Sequence, residues 1–163
     1  MSRLRRASQV PALVLLLVTL LWPVALLAAP YAATHRSGDA TSLRLAAGVY
    51  VLGSLICHQR SERSFHVWGV QLPVCARCIG IYAGAPVGVL AAMTVRRRRD
   101  LRVVTGRAWR SALVVALLPT AATVMWERLT LEMVPGAVRA GAGAWLGITV
   151  AAFLAVASSG ESR

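Results

Sequence analysis

All three cysteines of this chain lie in one short polar stretch between two apolar runs. Cys57 is followed directly by His58, and Cys75 and Cys78 form a Cys-x-x-Cys pair further along the same stretch. This spacing lets a tight turn or a first helical turn aim both sulfurs at one point, as in metal-binding knuckles and redox dithiols. The four residues therefore predict either a metal site or a redox-active dithiol.

The metal interpretation uses the whole set of donors. Cys57, His58, Cys75 and Cys78 supply three sulfurs and one nitrogen, which are the four ligands that tetrahedral zinc requires. Such a closed site is structural. If His58 points away, three thiolates and a water leave an open position for Lewis-acid chemistry. His66 is an alternative nitrogen donor, on a stretch expected to be extended and exposed.

The redox interpretation needs only the Cys-x-x-Cys pair. Cys75 or Cys78 would attack the disulfide of a partner protein, and electrons would pass to a lipid-soluble carrier. Both cysteines are expected at the start of a helix, where unpaired backbone N–H groups stabilise thiolates and so favour either chemistry. Membrane thiol oxidoreductases generally use two dithiol pairs, whereas this chain has three cysteines. The sequence therefore favours a metal site, and thiol-disulfide oxidoreduction is the alternative.

Polar residues around the cysteines predict an anion site. Arginines bind the oxygens of phosphate or carboxylate headgroups, although arginines at a bilayer border also act as interfacial anchors. The residues expected to contact an anion or lipid are Arg60, Arg63 and Arg77. Gln59 and Tyr82 are expected to support the ligands.

Composition indicates a membrane protein. The 163 residues are 57% hydrophobic, and all eighteen basic residues are arginine, against six acidic ones, for a formal charge of +12. The arginines cluster at the edges of apolar runs, without interleaved aromatics or a motif that reads a nucleic-acid groove. Contact with a lipid bilayer is therefore expected, and binding to nucleic acid is not.

The apolar runs predict an all-α, polytopic helical membrane protein that forms a single integral membrane domain over residues 1–163. The first run could also be a cleaved signal peptide, but its cleavage site is poor, so an uncleaved anchor is favoured. A fourteen-residue run is too short to span and is predicted to be a re-entrant or interfacial helix. The predicted spans are residues 10–33, 79–95, 112–126 and 137–157, the short helix is 43–56, and the Cys/His loop is 57–78.

Arginines between the second and third predicted spans, residues 79–95 and 112–126, set the topology. The connection from Arg96 to Arg110 holds seven of them and should be cytoplasmic by the positive-inside rule. With the basic amino terminus also inside, four spans with both termini inside are favoured, and five spans remain an alternative. The four-span arrangement predicts that the Cys/His loop lies on the outer face.

Both topologies bring a second connection to the side of the cysteines. Two crossings separate the Cys/His loop from residues 126–136, so acidic and basic side chains there can approach the thiols. Glu127, Glu132 and Arg139 are the candidates, as ligand, proton acceptor or ion-pair partner, or simply as residues that flank a membrane helix.

Glycines recur every four residues on two of the predicted spans. A Gly-xxx-Gly spacing lets a neighbouring helix approach closely, which predicts helix packing through these faces. A homo- or hetero-oligomer, with the chain as an accessory subunit of a membrane complex, is a third functional possibility. The glycines are Gly80, Gly84, Gly88, Gly143 and Gly147.

Three strings resemble a domain-of-unknown-function family of small bacterial predicted membrane proteins. They are Leu55–Gln59, Glu62–Phe65, and Gln71–Gly84, which contains Leu-Pro-Val-Cys-Ala-Arg-Cys-Ile-Gly-Ile-Tyr-Ala-Gly. The resemblance implies an integral membrane protein with these Cys-His and Cys-x-x-Cys residues as its hallmark, and it implies no activity. The family pattern has an aspartate where this chain has Thr123, with Glu127 one turn beyond, so a carboxylate role in that helix is not carried over.

Taken together, the residues predict a membrane protein with a Cys3His-type zinc site at the membrane border. The sequence does not indicate a reaction or a substrate.

Overall fold

The computed structural model describes residues 10–35, 39–98 and 106–158. Within them, five α-helices and a small β-hairpin follow one another along the chain. The helices are α1 (Val10–His35), α2 (Ala40–Ile56), α3 (Ala76–Arg98), α4 (Gly106–Thr130) and α5 (Gly136–Ala157); a 3-10 turn (Ser61–Arg63) and strands β1 (His66–Val67) and β2 (Val70–Gln71) lie between α2 and α3.

Four of these helices have the length and apolar composition to cross a membrane. They contain the candidate spans Val10–His35, Ala76–Val95, Ala108–Thr130 and Gly136–Ala157. The remaining helix, α2, is apolar but has only 17 residues. The prediction of an all-α polytopic membrane protein with four candidate spans is confirmed, and its apolar helices contact the lipid bilayer.

The short helix begins three residues earlier than the apolar pattern predicts. Asp39 is its N-cap, and the carboxylate accepts a hydrogen bond of 3.0 Å from the backbone N–H of Thr41. A cap of this kind satisfies a backbone donor that the helix leaves unpaired. The polar first turn, Ala40 to Ser42, therefore belongs to α2 although it carries no apolar periodicity.

Helices α3 and α5 run parallel and form the centre of the molecule. Added Cβ atoms at their glycines would overlap the backbone of the facing helix, so the two backbones are in close contact. Gly80, Gly84 and Gly88 meet Ala140, Ala144 and Ile148, and Gly143 and Gly147 meet Arg77 and Ile81. Each glycine face thus packs against the other helix of the same chain, and association with a second protein through these faces has no support.

The other helices surround this pair. Along α1, Leu15 packs near Val89, and Trp22 packs edge-on against Tyr82 with 6.1 Å between the ring centroids. Helix α1 therefore runs antiparallel to α3. Helix α2 packs on α1, and α4 packs on α5, where the Thr120 hydroxyl donates to the Ala142 carbonyl at 3.2 Å. The carboxyl ends of α2 and α4 therefore lie near the amino ends of α3 and α5.

The predicted cytoplasmic connection lies at the far end of α3 from the cysteines. Its residues 99–105 lie outside the described residues, as do the arginines of residues 1–9. The sidedness of the molecule thus stays a prediction.

Candidate metal centre and arginine-lined cavity

The chain between α2 and α3 folds back against α2. The Gln59 side-chain amide donates to the backbone carbonyls of Tyr50, at 2.8 Å, and Pro73, at 2.7 Å. The Tyr50 hydroxyl donates to the Gln71 carbonyl at 2.5 Å. Gly53 permits the approach, because a Cβ there would overlap the Pro73 carbonyl oxygen. These contacts bring the segment that ends at Cys75 beside the end of α2.

A two-residue turn closes the β-hairpin in the middle of this loop. Strands β1 and β2 are antiparallel, with His66 opposite Gln71. Trp68 and Gly69 both have positive φ angles, of 54° and 77°, as the tight turns preferred in hairpins require. His66 is exposed, and its Nε2 lies 3.2 Å from the Ser61 hydroxyl oxygen, so it is not part of the cysteine cluster.

The three cysteines converge. The Sγ atoms of Cys57, Cys75 and Cys78 all lie within 4.8 Å of one another, and all three thiols are free. The backbone N–H of Cys75 also donates to the Cys57 sulfur at 3.2 Å. Sulfurs this close offer three ligands to one metal ion.

Cys75 is the residue that caps α3. Its carbonyl accepts a hydrogen bond of 3.0 Å from the N–H of Ile79. The Cys78 thiol donates to its sulfur, and the N–H groups of Cys78 and Arg77 add further hydrogen bonds, which lower the pKa of Cys75 to about 5 against the opposing effect of burial. The neighbouring Cys78 thiol is thus the main cause of the stabilised Cys75 thiolate, and backbone N–H groups in the first turn of α3 contribute less.

His58 does not join the cysteines, which corrects the expected Cys3His set. Cys57 has extended backbone angles, with φ −142° and ψ 136°. On this extended backbone the Cys57 thiol is buried in the sulfur cluster, whereas His58 is exposed and outside the cluster, although it lines the same cavity. Adjacent ligands would need a turn at this position, and the chain does not make one.

The geometry of the cluster fits zinc. A tetrahedral ion with Zn–S bonds of about 2.3 Å holds its sulfurs about 3.8 Å apart. Starting from separations of at most 4.8 Å, an approach of about 1 Å or less completes three sulfur ligands. Since all three cysteines line the same cavity, a fourth ligand would come from the cavity or from a rearranged His58.

That cavity has a volume of about 470 Å³ and contains most of the predicted site residues. Tyr82 is an exception, since it packs with Trp22 and Leu26 in the apolar cluster behind the sulfurs. Glu132 is exposed and lies by Trp126 and Met133, away from the cysteines. The predicted residues that do line the cavity are Cys57, His58, Gln59, Arg60, Arg63, Cys75, Arg77, Cys78, Glu127 and Arg139.

A buried carboxylate lies between two arginines in the cavity wall. Glu127 and Arg139 are 8% and 5% exposed, and the Arg139 Nε lies 3.4 Å from the Glu127 Oε1. Arg77 lies 3.9 Å from the other carboxylate oxygen and donates to the Thr123 hydroxyl at 3.1 Å. Glu127 on α4 therefore supplies one carboxylate to both arginines, and Thr123, one turn earlier on the same helix, also contacts Arg77.

Several positioning residues were not predicted. Tyr50, Gly53 and Gln71 hold the loop against α2, and Arg128 lines the cavity from α4. In the sequence, the only local indications of these contacts are Tyr50 and Gly53 inside the short apolar helix. Neither signal identifies its partner, because each contact joins residues about twenty positions apart.

Comparison with known proteins places the chain in a family. A family model described as predicted membrane protein DUF2085 matches residues 57–153, which include every cysteine and both Glu127 and Arg139. An uncharacterised protein of Methanocaldococcus jannaschii is 33% identical over 109 residues, which cover 67% of each chain. An uncharacterised protein of Methanothermobacter thermautotrophicus is 57% identical over 30 residues, which cover 18% of this chain and 27% of its own.

No solved structure matches. Both relatives are archaeal, so similarity to this chain is not confined to bacterial proteins. The matched region begins at Cys57 and extends through α3 and α4 into α5. This chain belongs to the DUF2085 family of predicted membrane proteins.

Proposed function

We propose that Cys57, Cys75 and Cys78 bind a zinc ion at the membrane border. The observation that carries the proposal is the convergence of three sulfurs, all within 4.8 Å of one another, on the wall of one cavity. Thiolates are strong zinc ligands, and the low pKa of Cys75 favours its metal-binding form. The ion would link the end of α2 to the start of α3.

The zinc would have an accessible fourth position. Three protein ligands plus a water or substrate are typical of catalytic zinc, whereas structural zinc has four protein ligands. The exposed orientation of His58 supports the first arrangement. When bound, the ion would act as a Lewis acid toward a ligand in the cavity, while the arginines and Glu127 would orient that ligand.

The site would lie on the outer face of the cell membrane. The Arg96–Arg110 connection is at the opposite end of α3 from Cys75, and the positive-inside rule assigns this connection to the cytoplasm. Labelling of single-cysteine variants with a membrane-impermeant thiol reagent in intact cells tests this sidedness.

Elemental analysis of anaerobically purified, detergent-solubilised protein tests the metal proposal. We expect about one zinc per chain, with thiols that react fully only after chelation. Cys75→Ser should lose the zinc, and Ser54→Ala, in an exposed position near the end of α2, should retain it. Zinc-free wild-type protein, or a Cys75→Ser variant with unchanged zinc content, would refute the proposal.

A thiol oxidoreductase is the second candidate. The observation that favours it is the pKa of about 5 for Cys75, whose main cause is the hydrogen bond from Cys78. A stabilised thiolate beside a second thiol can attack a disulfide and then be released by the second sulfur. Cys78→Ser should then trap a mixed disulfide with a partner, and failure to trap one would count against this function.

A further inference from the structure

We infer that the cavity beside the three cysteines binds a phosphate group, carried by a lipid headgroup or free in solution. The inference deepens the proposed function and rests on it in one respect, because the phosphate would lie next to the proposed zinc. Binding of the phosphate by the arginines can be measured separately from the metal.

The cavity wall holds more positive than negative charge. Five arginines and one carboxylate, Glu127, are among the described lining residues; the arginines are Arg60, Arg63, Arg77, Arg128 and Arg139. Arg60 and Arg128 are exposed to water, whereas Arg63 and Arg77 are partly buried and Arg139 is buried. A zinc ion with three thiolates would carry a net charge of about −1, so this ion and Glu127 together would balance two of these three less accessible arginines. One partly buried positive charge then remains for an anion to neutralise.

The same arginines have hydrogen-bond donors without partners. The Nε atoms of Arg63, Arg77 and Arg139 are buried and make no hydrogen bond within the described part of the chain. Arg139 is only 5% exposed, and its closest acidic neighbour, Glu127, lies 3.4 Å away without forming a hydrogen bond. Glu127 Oε1 is also buried without a hydrogen bond, and it pairs by charge with Arg139. Because buried donors are nearly always satisfied, the Nε atoms of Arg63 and Arg77 point to a ligand that accepts several hydrogen bonds.

The origins of the arginines favour a tetrahedral anion. Arg63 lies on the 3-10 turn, Arg77 in the first turn of α3 and Arg139 in the first turn of α5, so the donors come from three separate elements. A phosphate offers oxygens in several directions, whereas a carboxylate offers two in one plane. The positive ends of the parallel helices α3 and α5 also lie side by side here, which further favours an anion.

The border of the cavity suits an amphiphile. Its apolar lining residues, Ile56 at the end of α2 and Leu131 just after α4, are 56% and 87% exposed. A volume of about 470 Å³ is in the range of pockets for whole organic ligands, so space remains around a phosphate. Acyl chains could leave along these apolar side chains while the phosphate contacts the arginines.

Calorimetric titration in a phosphate-free maltoside detergent tests the inference. The probes are inorganic phosphate, dihexanoyl phosphatidic acid, and dihexanoylglycerol, which has the same apolar part without the phosphate. Arg63→Gln and Arg77→Gln should each weaken phosphate or phosphatidic acid binding by about tenfold or more. Arg110→Gln, which removes the same charge from an exposed position near the opposite end of α4, should bind as the wild type does.

Both arginine variants are first checked for a monodisperse elution profile, and Arg63→Gln leaves the Glu127 ion pairs intact. Tighter binding of phosphatidic acid than of inorganic phosphate would identify a lipid source, and equal binding would identify a soluble one. No binding of either probe, equal binding by the Arg63→Gln and wild-type proteins, or equal binding of dihexanoylglycerol would overturn the inference.

The zinc content of the same samples separates the two ideas. Zinc without phosphate binding would leave the metal proposal standing and reject the phosphate site. If the protein contains no zinc but binds phosphate in a way that depends on Arg63 and Arg77, the phosphate site stands and the metal proposal is rejected.

Discussion

The α3–α5 pair and the cavity at its amino end share two helices but differ in packing and in charge; the loop after α2 and the end of α4 complete the cavity wall. Along the pair, glycines bring the two backbones into direct contact and leave no room for a side chain. One turn further toward the helix starts, Arg77 and Arg139 extend long charged side chains into a cavity of about 470 Å³. The first region is dry and closely packed, whereas the second holds buried charge.

The difference indicates that close packing sets the geometry of the polar site. Gly143 lies against the backbone of Arg77, and Gly80 lies against that of Ala140, the neighbour of Arg139. The register of the glycine faces therefore determines how far apart the starts of the two arginine side chains are, and α4 brings Glu127 to 3.9 and 3.4 Å from them. A disturbance of the helix pair should damage both regions, while a disturbance of the cavity should leave the pair intact.

Gly147→Leu should give the largest effect, because it disturbs the helix pair itself. Any Cβ at this position would overlap the backbone of Ile81. Overpacking of a core costs about 1–3 kcal/mol and sometimes more, and a backbone contact cannot relax as a side chain can, so we expect a loss of about 3 kcal/mol or more in the free energy of unfolding. Thermal and denaturant unfolding in detergent measure it.

Gly141→Leu is the matched control on the same helix. Its Cβ would meet nothing within 4 Å, so this variant should unfold like the wild type. Equal destabilisation by both substitutions would mean that α5 is sensitive to leucine in general and not to contact with α3.

Glu127→Gln should give the next largest effect, confined to the cavity. It leaves Arg77 and Arg139 without their shared counter-ion, and breaking a buried ion pair costs about 3–5 kcal/mol. Because Arg77 is partly accessible from the cavity, we expect a smaller loss of about 2 kcal/mol in the free energy of unfolding.

The double variant Glu127→Gln/Arg139→Gln distinguishes charge from packing. Removing one arginine together with the carboxylate restores the balance, so the double variant should be more stable than Glu127→Gln alone. If the loss of stability in the double variant equals the sum of the losses in Glu127→Gln and Arg139→Gln, each measured against the wild type, the ion pair is not a coupled unit.

The sequence is a better guide to the helix pair than to the cavity, for a physical reason. Apolar runs and Gly-xxx-Gly spacing are local patterns, and they predict four candidate spans and glycine faces without knowledge of the partner helix. These local patterns do not identify the helix that each glycine face contacts. Gly84 meets Ala144, sixty residues away in the same chain, whereas the sequence alone also allowed contact with another protein.

Prediction of the cavity was partial because its geometry depends on single backbone angles and distant contacts. Cys57, Cys75 and Cys78 were identified from their spacing, and they do converge. The chemistry of its imidazole makes His58 a candidate metal ligand in the sequence. In the structure it follows an extended backbone at Cys57 and is exposed, outside the sulfur cluster. The carboxylate that Arg77 and Arg139 share comes from α4, where Thr123 also accepts a hydrogen bond from Arg77, forty-six positions away. Local sequence patterns do not reveal contacts between such distant residues.

Tyr50→Phe should have a smaller effect, limited to the attachment of the loop. It removes the hydrogen bond to the Gln71 carbonyl and leaves that acceptor partly buried, so we expect a loss of about 1 kcal/mol. Loop protease resistance should fall, and a chelator should remove zinc faster. Tyr31→Phe, which removes a hydroxyl from the exposed part of α1, is the control and should change neither quantity.

His58→Ala should have the smallest effect on metal binding, and it tests the cavity directly. With the imidazole exposed and outside the sulfur cluster, the variant should keep about one zinc per chain, with an affinity within about threefold of the wild type. Competition with a chromophoric chelator measures the affinity, and Cys75→Ser, which removes a ligand, marks the loss expected for a true donor. A fall of about a hundredfold in His58→Ala would mean that the backbone at Cys57 turns when zinc binds, so that the site closes with four protein ligands. The metal would then have no open position for a ligand from the cavity, and the cavity beside it would bind only the phosphate.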